Sequence, residues 1–361
     1  MRYEPCFLIG RGGMGEVWLG LQRGPEGFRR PVVLKRAGGM ASGLDHEGAI
    51  AEEARLLALI DHPNVVRVID LVKTPQGLVL VLELVRGASL RTWLSTSGPL
   101  PWEIAARLTA DAARALEAAH GAIDLDGRPA RVVHRDISPE NLMVSVHGML
   151  VLVDFGVARS ELRELTRVPM LKGKLPYLSP EQIHGEPLDW RSDVFALGAV
   201  LYELVAGHRL FDAETEQGLL EGITTSSLPA TTPLPPELER VWRAMLAPQA
   251  SLRPRSLDAV ATQLEALASQ AGVAHGEVAR ELATDLAPAL EQQRARIRAL
   301  ATGAKLAPVP ATDIALGMGA VLDTFLGTRP IEPPIEPPVA PTQPFGDTTV
   351  PDRQLRDRGP S

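Results

Sequence analysis

Along the first 85 residues apolar side chains come in short runs split by glycine-rich or charged turns, and from about residue 90 they recur at helical spacing. This change of period constrains the fold more than any other feature, because a strand buries alternate residues whereas a helix buries one stripe. Residues 6–9, 17–19 and 31–35 are apolar or β-branched runs, which predicts three strands. Residues 47–60 predict a helix: Ile50, Ala54 and Leu57 share one face, and acidic residues occupy the first turns, where the helix dipole favours them. Two further apolar runs, 65–72 and 78–84, flank the turn Thr74-Pro75-Gln76-Gly77. Beyond them, 104–120 reads as an Ala-rich amphipathic helix and 142–153 as a hairpin about His147-Gly148. Residues 194–205 are apolar almost all round, which suits a buried helix. Strands with one helix, followed mainly by helices, predict an α+β chain in two lobes.

The chain has 361 residues, and its 44 acidic side chains outnumber 37 basic ones, a net charge of −7. That balance argues against broad nucleic-acid binding, which needs a basic surface. A single cysteine, Cys6, excludes an intramolecular disulfide framework and points to a reducing, cytoplasmic setting. Residues 1–5 lack a basic stretch followed by an apolar one, so no signal peptide is expected. The most apolar candidate span, 194–202, is nine residues long; a membrane helix needs about 20, so no membrane span is expected.

Near the end, 329–361 holds nine of 31 prolines and repeats Ile-Glu-Pro-Pro, which predicts an extended, disordered tail. Before it, 277–302 carries Val278, Leu282, Leu286, Leu290, Ile297 and Leu300 at near-helical spacing, with a kink expected at Pro288. The stripe reads as a helical cap on the preceding lobe; the alternative is a partner-binding helix.

Three constellations carry chemistry. The first is Ile9-Gly10-Arg11-Gly12-Gly13-Met14-Gly15-Glu16-Val17, whose glycines let backbone N–H groups approach phosphate oxygens. A dinucleotide fingerprint shares this spacing but requires a helix next, and Val17-Trp18-Leu19 reads as a strand, so a hairpin is predicted. The second is Lys35, closing the apolar run Val32-Val33-Leu34 in a chain with five lysines and 32 arginines. A buried ammonium there needs a partner; Glu53 is the favoured one and Glu52 the alternative. The third is His134-Arg135-Asp136-Ile137-Ser138-Pro139-Glu140-Asn141, followed by Asp154-Phe155-Gly156. Phosphoryl transfer relies on positioning and charge neutralisation. One carboxylate suits a role in orienting a hydroxyl, and an Asp with an Asn suits Mg²⁺, which prefers hard oxygen ligands.

On these residues the chain resembles the eukaryotic-like serine/threonine protein kinases, including their bacterial members. The resemblance covers about residues 3–268 and extends to His62-Pro63-Asn64, Ser179-Pro180-Glu181, Asp193-Val194-Phe195-Ala196-Leu197-Gly198 and Arg253-Pro254. It implies the two-lobed kinase fold: a β-rich N-lobe (1–85) and a helical C-lobe (86–268); the residues beyond read as a helical extension (269–327) and the tail (328–361). It further implies that Gly10–Val17 covers the ATP phosphates and that Lys35, held by Glu53, contacts them. Asp136 would be the base, with Asn141 and Asp154 holding magnesium. Adenine would lie among Ile9, Val17, Val33 and Met143, with Leu82 as gatekeeper and the backbone of Glu83–Val85 at its edge. The implied activity is transfer of the ATP γ-phosphoryl group to Ser or Thr hydroxyls of protein substrates, with autophosphorylation in bacterial signalling. A nucleotide-binding pseudokinase scaffold is the alternative.

The chain departs from the family pattern in four places. Ser138 stands where most members have a lysine, and Lys174 stands where they have threonine; Lys174 is the candidate to supply the charge that Ser138 cannot. Val33 replaces a usual alanine, and residues 121–131 add a surface loop. Arg135 suggests docking of a phosphorylated loop, with Thr166 favoured over Ser160 and Ser179; the alternative is a structural ion pair.

Overall fold

The computed structural model describes residues 2–12, 15–37, 46–155 and 174–302. The N-lobe is an antiparallel sheet in the order β1-β2-β3-β5-β4. Its strands are β1 (Tyr3–Gly12), β2 (Gly15–Arg23), β3 (Arg29–Ala37), β4 (Val68–Thr74) and β5 (Gly77–Glu83), with α1 (His46–Ala58) between β3 and β4. The strands outrun their apolar runs because ladder hydrogen bonds enlist polar residues too, as in the pairing of Gln22 with Arg30. Ile50, Ala54 and Leu57 of α1 are buried in the same core as Leu80 and Leu82 of β5.

The run expected as one strand over 65–72 is divided. Val66 donates its N–H to Leu152 O at 3.0 Å, and the chain joins the N-lobe sheet just after it, where Arg67 O accepts from Glu83 N at 3.0 Å and Val68 pairs with Leu82. Asn64 enforces the division: its Nδ2 donates to Leu150 O at 2.6 Å, and its carbonyl accepts from Leu152 N at 2.7 Å. The His-Pro-Asn turn is thus a stitch between lobes.

The C-lobe opens with β6 (Gly87–Ser89), α2 (Leu90–Ser97) and α3 (Trp102–His120), then a hairpin of β7 (Leu142–Ser145) and β8 (Leu150–Leu152). Next come α4 (Pro180–His184), α5 (Arg191–Ala206), α6 (Glu216–Thr224), α7 (Pro236–Met245) and α8 (Leu257–Gln270). Helix α5 is buried continuously from Ser192 to Leu204, in keeping with the nearly all-round apolar span 194–205, and Asp193 and Glu203 are buried with it. The added 121–131 segment is a closed surface loop, pinched by a bridge between Ile123 and Pro129, with Asp124 Oδ1 accepting from Asp126 N and Arg128 N.

The C-terminal stripe forms two helices rather than one kinked helix, α9 (His275–Asp285) and α10 (Ala287–Thr302). The break falls at Leu286, and Pro288 is the second residue of α10, where its missing N–H has no intrahelical partner to lose. Together the two helices form a strap that touches both lobes. Helix α9 packs on α2 and α3, and α10 reaches β3. Trp93 Nε1 donates to Asp285 Oδ2 at 2.6 Å, Gln293 Nε2 donates to Gly87 O at 3.3 Å, and the Arg296 guanidinium lies 5.8 Å from the Phe7 ring centre. Gly148, at φ +77°, lets the β7–β8 turn sit against the His275 backbone, which a Cβ would strike. Leu282, Leu286, Leu290 and Leu300 are buried in the core shared by both lobes, as a cap requires.

The expected Pro-rich tail, 328–361, lies outside the described residues, as do Ser160 and Thr166 and the end of the extension, 303–327. Among the described residues no helix is long and apolar enough to cross a membrane.

If the strap is integral to the fold, Leu282→Ala in α9 should cost about 2–5 kcal/mol. The exposed Arg280→Ala, two residues earlier on the same helix, should stay within about 0.5 kcal/mol of the parent. Urea denaturation of both variants checks the pair.

Candidate active site

Lys35 projects from β3, where its register partners are Val17 of β2 and Leu80 of β5. Its ammonium donates to Glu53 Oε1 at 2.8 Å and Oε2 at 2.7 Å, and also meets Asp154 Oδ1. Glu52 turns outward to Arg55. Burial works against the Lys35 charge, but the Asp154 and Glu53 carboxylates outweigh it and hold the pKa above its ordinary value. Burial, with the Asp154 charge adding to it, pushes Glu53 up to about 7 despite the lysine. One cation therefore joins the sheet, α1 and the segment after β8.

The segment 134–141 is held in an unusual conformation. Arg135 has φ +65° and Asp154 φ +63°, left-handed values uncommon away from glycine. Asp193, at the start of α5, clamps the first bend: Oδ2 accepts from His134 N at 2.8 Å and Oδ1 from Arg135 N at 2.9 Å. His120 Nε2 lies 2.9 Å from the same carboxylate. Gln182 Nε2 adds a bond to Arg135 O, and the His134 ring packs on Phe155 at 4.6 Å. Burial keeps His134 below its usual pKa and so neutral, consistent with its Nδ1 accepting Asp136 N.

Asn141 is the hub. Its Nδ2 donates to Asp136 O at 2.8 Å and Asp136 Oδ2 at 2.9 Å, while its carbonyl accepts from Val153 N, next to Asp154. Its Oδ1 is buried with no hydrogen-bond partner among the described residues. A buried, unsatisfied amide oxygen close to a carboxylate is the donor set that a hard divalent cation seeks.

The glycine-rich segment is a hairpin, with Gly10 opposite Val17, Arg11 opposite Glu16 and Gly12 opposite Gly15, which excludes the strand–helix dinucleotide geometry. Gly13 and Met14, at its tip, lie outside the described residues. Glu16 receives Trp18 Nε1 at 3.2 Å and pairs with Arg36. Ile9, Val17, Val33, Leu82 and Met143 are all buried in one cluster spanning β1, β2, β3, β5 and β7. Glu83 ends β5 opposite Val32, and residues 84–86, Val85 among them, continue without regular structure into the C-lobe.

Residues 3–264 match the family model described as the protein kinase domain. The chain belongs to the protein kinase family. Its relatives include a tyrosine-protein kinase, MasK, of Myxococcus xanthus, 35% identical over 74% of this chain and 44% of that protein. They also include the serine/threonine-protein kinases PkaB of Streptomyces coelicolor (36% identical; 76% of this chain, 65% of that one) and PknB of Mycobacterium leprae (35%; 58% and 33%). The chain spans less than two thirds of the length of each of these relatives.

Other kinase-family elements also come together. Glu181 receives both Arg253 amino groups, at 2.7 and 2.9 Å, and Ser192 Oγ at 2.6 Å. Burial would raise Glu181, but these donors hold its pKa below the usual carboxylate value. Sequence reasoning missed a second network. Arg91 of α2 bonds Glu140 at 2.8 Å, Glu203 of α5 at 2.7 Å and Tyr177 OH at 2.6 Å, tying the segment that carries Asn141 to the C-lobe helices. The only clue lay in Glu140 and Glu203, charged residues embedded in apolar or motif sequence.

The Asp193 clamp predicts a pH signature. Burial favours its neutral form, but the hydrogen bond and charge interaction with His120, together with the His134 charge interaction and backbone N–H, outweigh that and depress its pKa. The native state then binds fewer protons than the unfolded chain, so this contribution is complete above an unfolded value of 3.8 and lost as pH falls below it. Asp193→Asn should cost about 1–3 kcal/mol near neutrality and flatten the acid limb of the stability curve. Denaturant titrations from pH 3 to 7 check this, and parallel acid limbs would contradict it.

Proposed function

We propose that this chain transfers the γ-phosphoryl group of ATP to Ser or Thr hydroxyls of protein substrates, autophosphorylation included. The carrying observation is the Asn141 hub. A single side chain is bonded to Asp136 while its main chain holds the strand end that delivers Asp154 to Lys35. In this reading Asp136 orients the acceptor hydroxyl and takes its proton. The hydroxyl oxygen bonds to the γ-phosphorus, the bond from that phosphorus to its bridging oxygen breaks, and the electron pair leaves with ADP. Asn141 Oδ1 and Asp154 would hold Mg²⁺, which neutralises phosphate charge when bound. Lys35, fixed by Glu53, contacts the α- and β-phosphates beneath the backbone N–H groups of Gly10, Gly12 and Gly15. Ile9, Val17, Val33 and Met143 enclose adenine, and the Glu83–Val85 backbone meets its polar edge.

The kinase domain is placed at 1–268, its lobes joined near residue 85, followed by the extension 269–327 and tail 328–361; the family match over 3–264 supports the first boundary. The single thiol, Cys6, suits a reducing cytoplasm.

Purified chain incubated with labelled ATP, Mg²⁺ and a general protein substrate should label serine or threonine. Asp136→Asn and Lys35→Met should each lower the rate by about 10²–10⁴-fold, the range for removing a positioned base or charge. Equal labelling in parent and both variants would refute the assignment. Recovery of label on tyrosine alone would move the acceptor to the chemistry named for the Myxococcus relative.

A further inference from the structure

Lys174 stands just before a short 3-10 turn, Leu175–Tyr177, and its ammonium meets Asp136 Oδ2, the oxygen that Asn141 also engages. Both side chains of this pair are about nine-tenths buried or more. Lys174 also lies close enough to Glu140 to lower that carboxyl's pKa, behind burial and the larger influence of Arg91. Across the catalytic segment, Ser138 is fully buried and its hydroxyl has no partner among the described residues. The position that carries a cation in most of the family therefore carries none, and a different element delivers one to the same carboxylate.

We infer that Lys174 is the phosphate-facing cation of this site, displaced from residue 138 to the other flank of Asp136. The inference rests on the phosphoryl-transfer reading above. A hydroxyl engaged by Asp136 lies about 3 Å from it, and the phosphorus it attacks is about 3–3.5 Å further. An ammonium already touching Asp136 therefore reaches the equatorial oxygens over which the transition state spreads its charge. Residue choice agrees. The chain uses 32 arginines and five lysines, yet both buried cations at the centre, Lys35 and Lys174, are lysines. A compact ammonium can turn from carboxylate to phosphoryl oxygen, whereas a planar guanidinium is held by its fork.

Two measurements test this. In steady-state transfer to a fixed peptide, Lys174→Ala should lower kcat by about 10²–10³-fold, as loss of one charge-stabilising donor does, with KM for ATP changed less than about threefold. Moving the cation, Ser138→Lys with Lys174→Thr, should recover at least tenfold of that loss; a merely structural ion pair would not be rescued this way. Separately, aluminium fluoride should tighten MgADP binding to the parent chain, as a planar mimic of the moving phosphoryl group, and Lys174→Ala should abolish that gain while leaving MgADP binding itself unchanged. This second readout needs no acceptor. A parent that shows the gain but labels no substrate would sink the protein-kinase reading and spare this one. Unchanged or raised kcat in Lys174→Ala, or an aluminium fluoride gain that survives the substitution, would overturn the inference, whatever the swapped variant does.

Discussion

The ammonium of Lys35, lodged between Glu53 and Asp154, is the interaction on which the site depends. Three elements far apart in sequence (β3, α1 and the strand end after β8) meet at this one charge. Taking ions out of water is costly, and a buried ion pair often contributes little net stability, whereas removing one partner costs about 3–5 kcal/mol. The arrangement is thus poor insulation for a core but a sensitive register: α1 must sit at one height, and Asp154 must keep its strained φ, for the lysine to be satisfied. Counting the second pair, Lys174 with Asp136, the centre holds one more carboxylate than ammonium. Burial with a net negative charge leaves Glu53 near neutrality's edge, at about 7. In the proposed reading, a divalent cation held by Asn141 and Asp154 would offset that excess of carboxylate.

The strain at Arg135 and Asp154 explains why so much of the C-lobe is polar inside. Each left-handed residue costs of order 1–3 kcal/mol, so both bends persist only if surrounding bonds over-determine them. The Asp193 carboxylate accepts from two backbone N–H groups and is itself held by His120. Gln182 reaches Arg135 O from α4, and α4 is fixed in turn by the Glu181–Arg253 pair. Arg91 secures the other end of the same segment through Glu140. The bonds of these networks end on His134, Arg135 and Glu140, and none reaches the side chain of Asp136 or Asn141. Their common effect is to fix the backbone on either side of Asp136 and Asn141.

How much of this could be read in the chain beforehand depends on the range of the interaction. The glycine hairpin was legible because a strand had to follow it, and Val17-Trp18-Leu19 cannot open a helix as a dinucleotide site requires. The choice of Glu53 over Glu52 was also within reach: Glu53 lies three residues after Ile50 and four before Leu57, on the buried face, whereas Glu52 shares its face with Arg55. The division of the 65–72 run was not legible, since Val65 and Val66 have the side chains of any strand, and only the Asn64 stitch to β8 decides which sheet claims them. Arg91 gave no signal at all. Its partners Glu140, Tyr177 and Glu203 are 49, 86 and 112 residues away.

The extension shows the same limit from the opposite side. Its apolar stripe predicted burial correctly, yet one continuous helix could not have met both lobes in this way. Helix α9 must leave Asp285 facing the Trp93 indole in the C-lobe, and α10 must place Gln293 against Gly87 and Arg296 against the Phe7 ring in the N-lobe. A straight rod would keep rising 1.5 Å per residue along one axis, so the chain breaks at Leu286 and restarts with a proline in its first turn. The break gives the strap a footing on each lobe, bridging the segment 84–86 that joins them. Asp285 therefore meets the C-lobe at Trp93 on one side of Leu286, while Arg296 meets the N-lobe at Phe7 on the other.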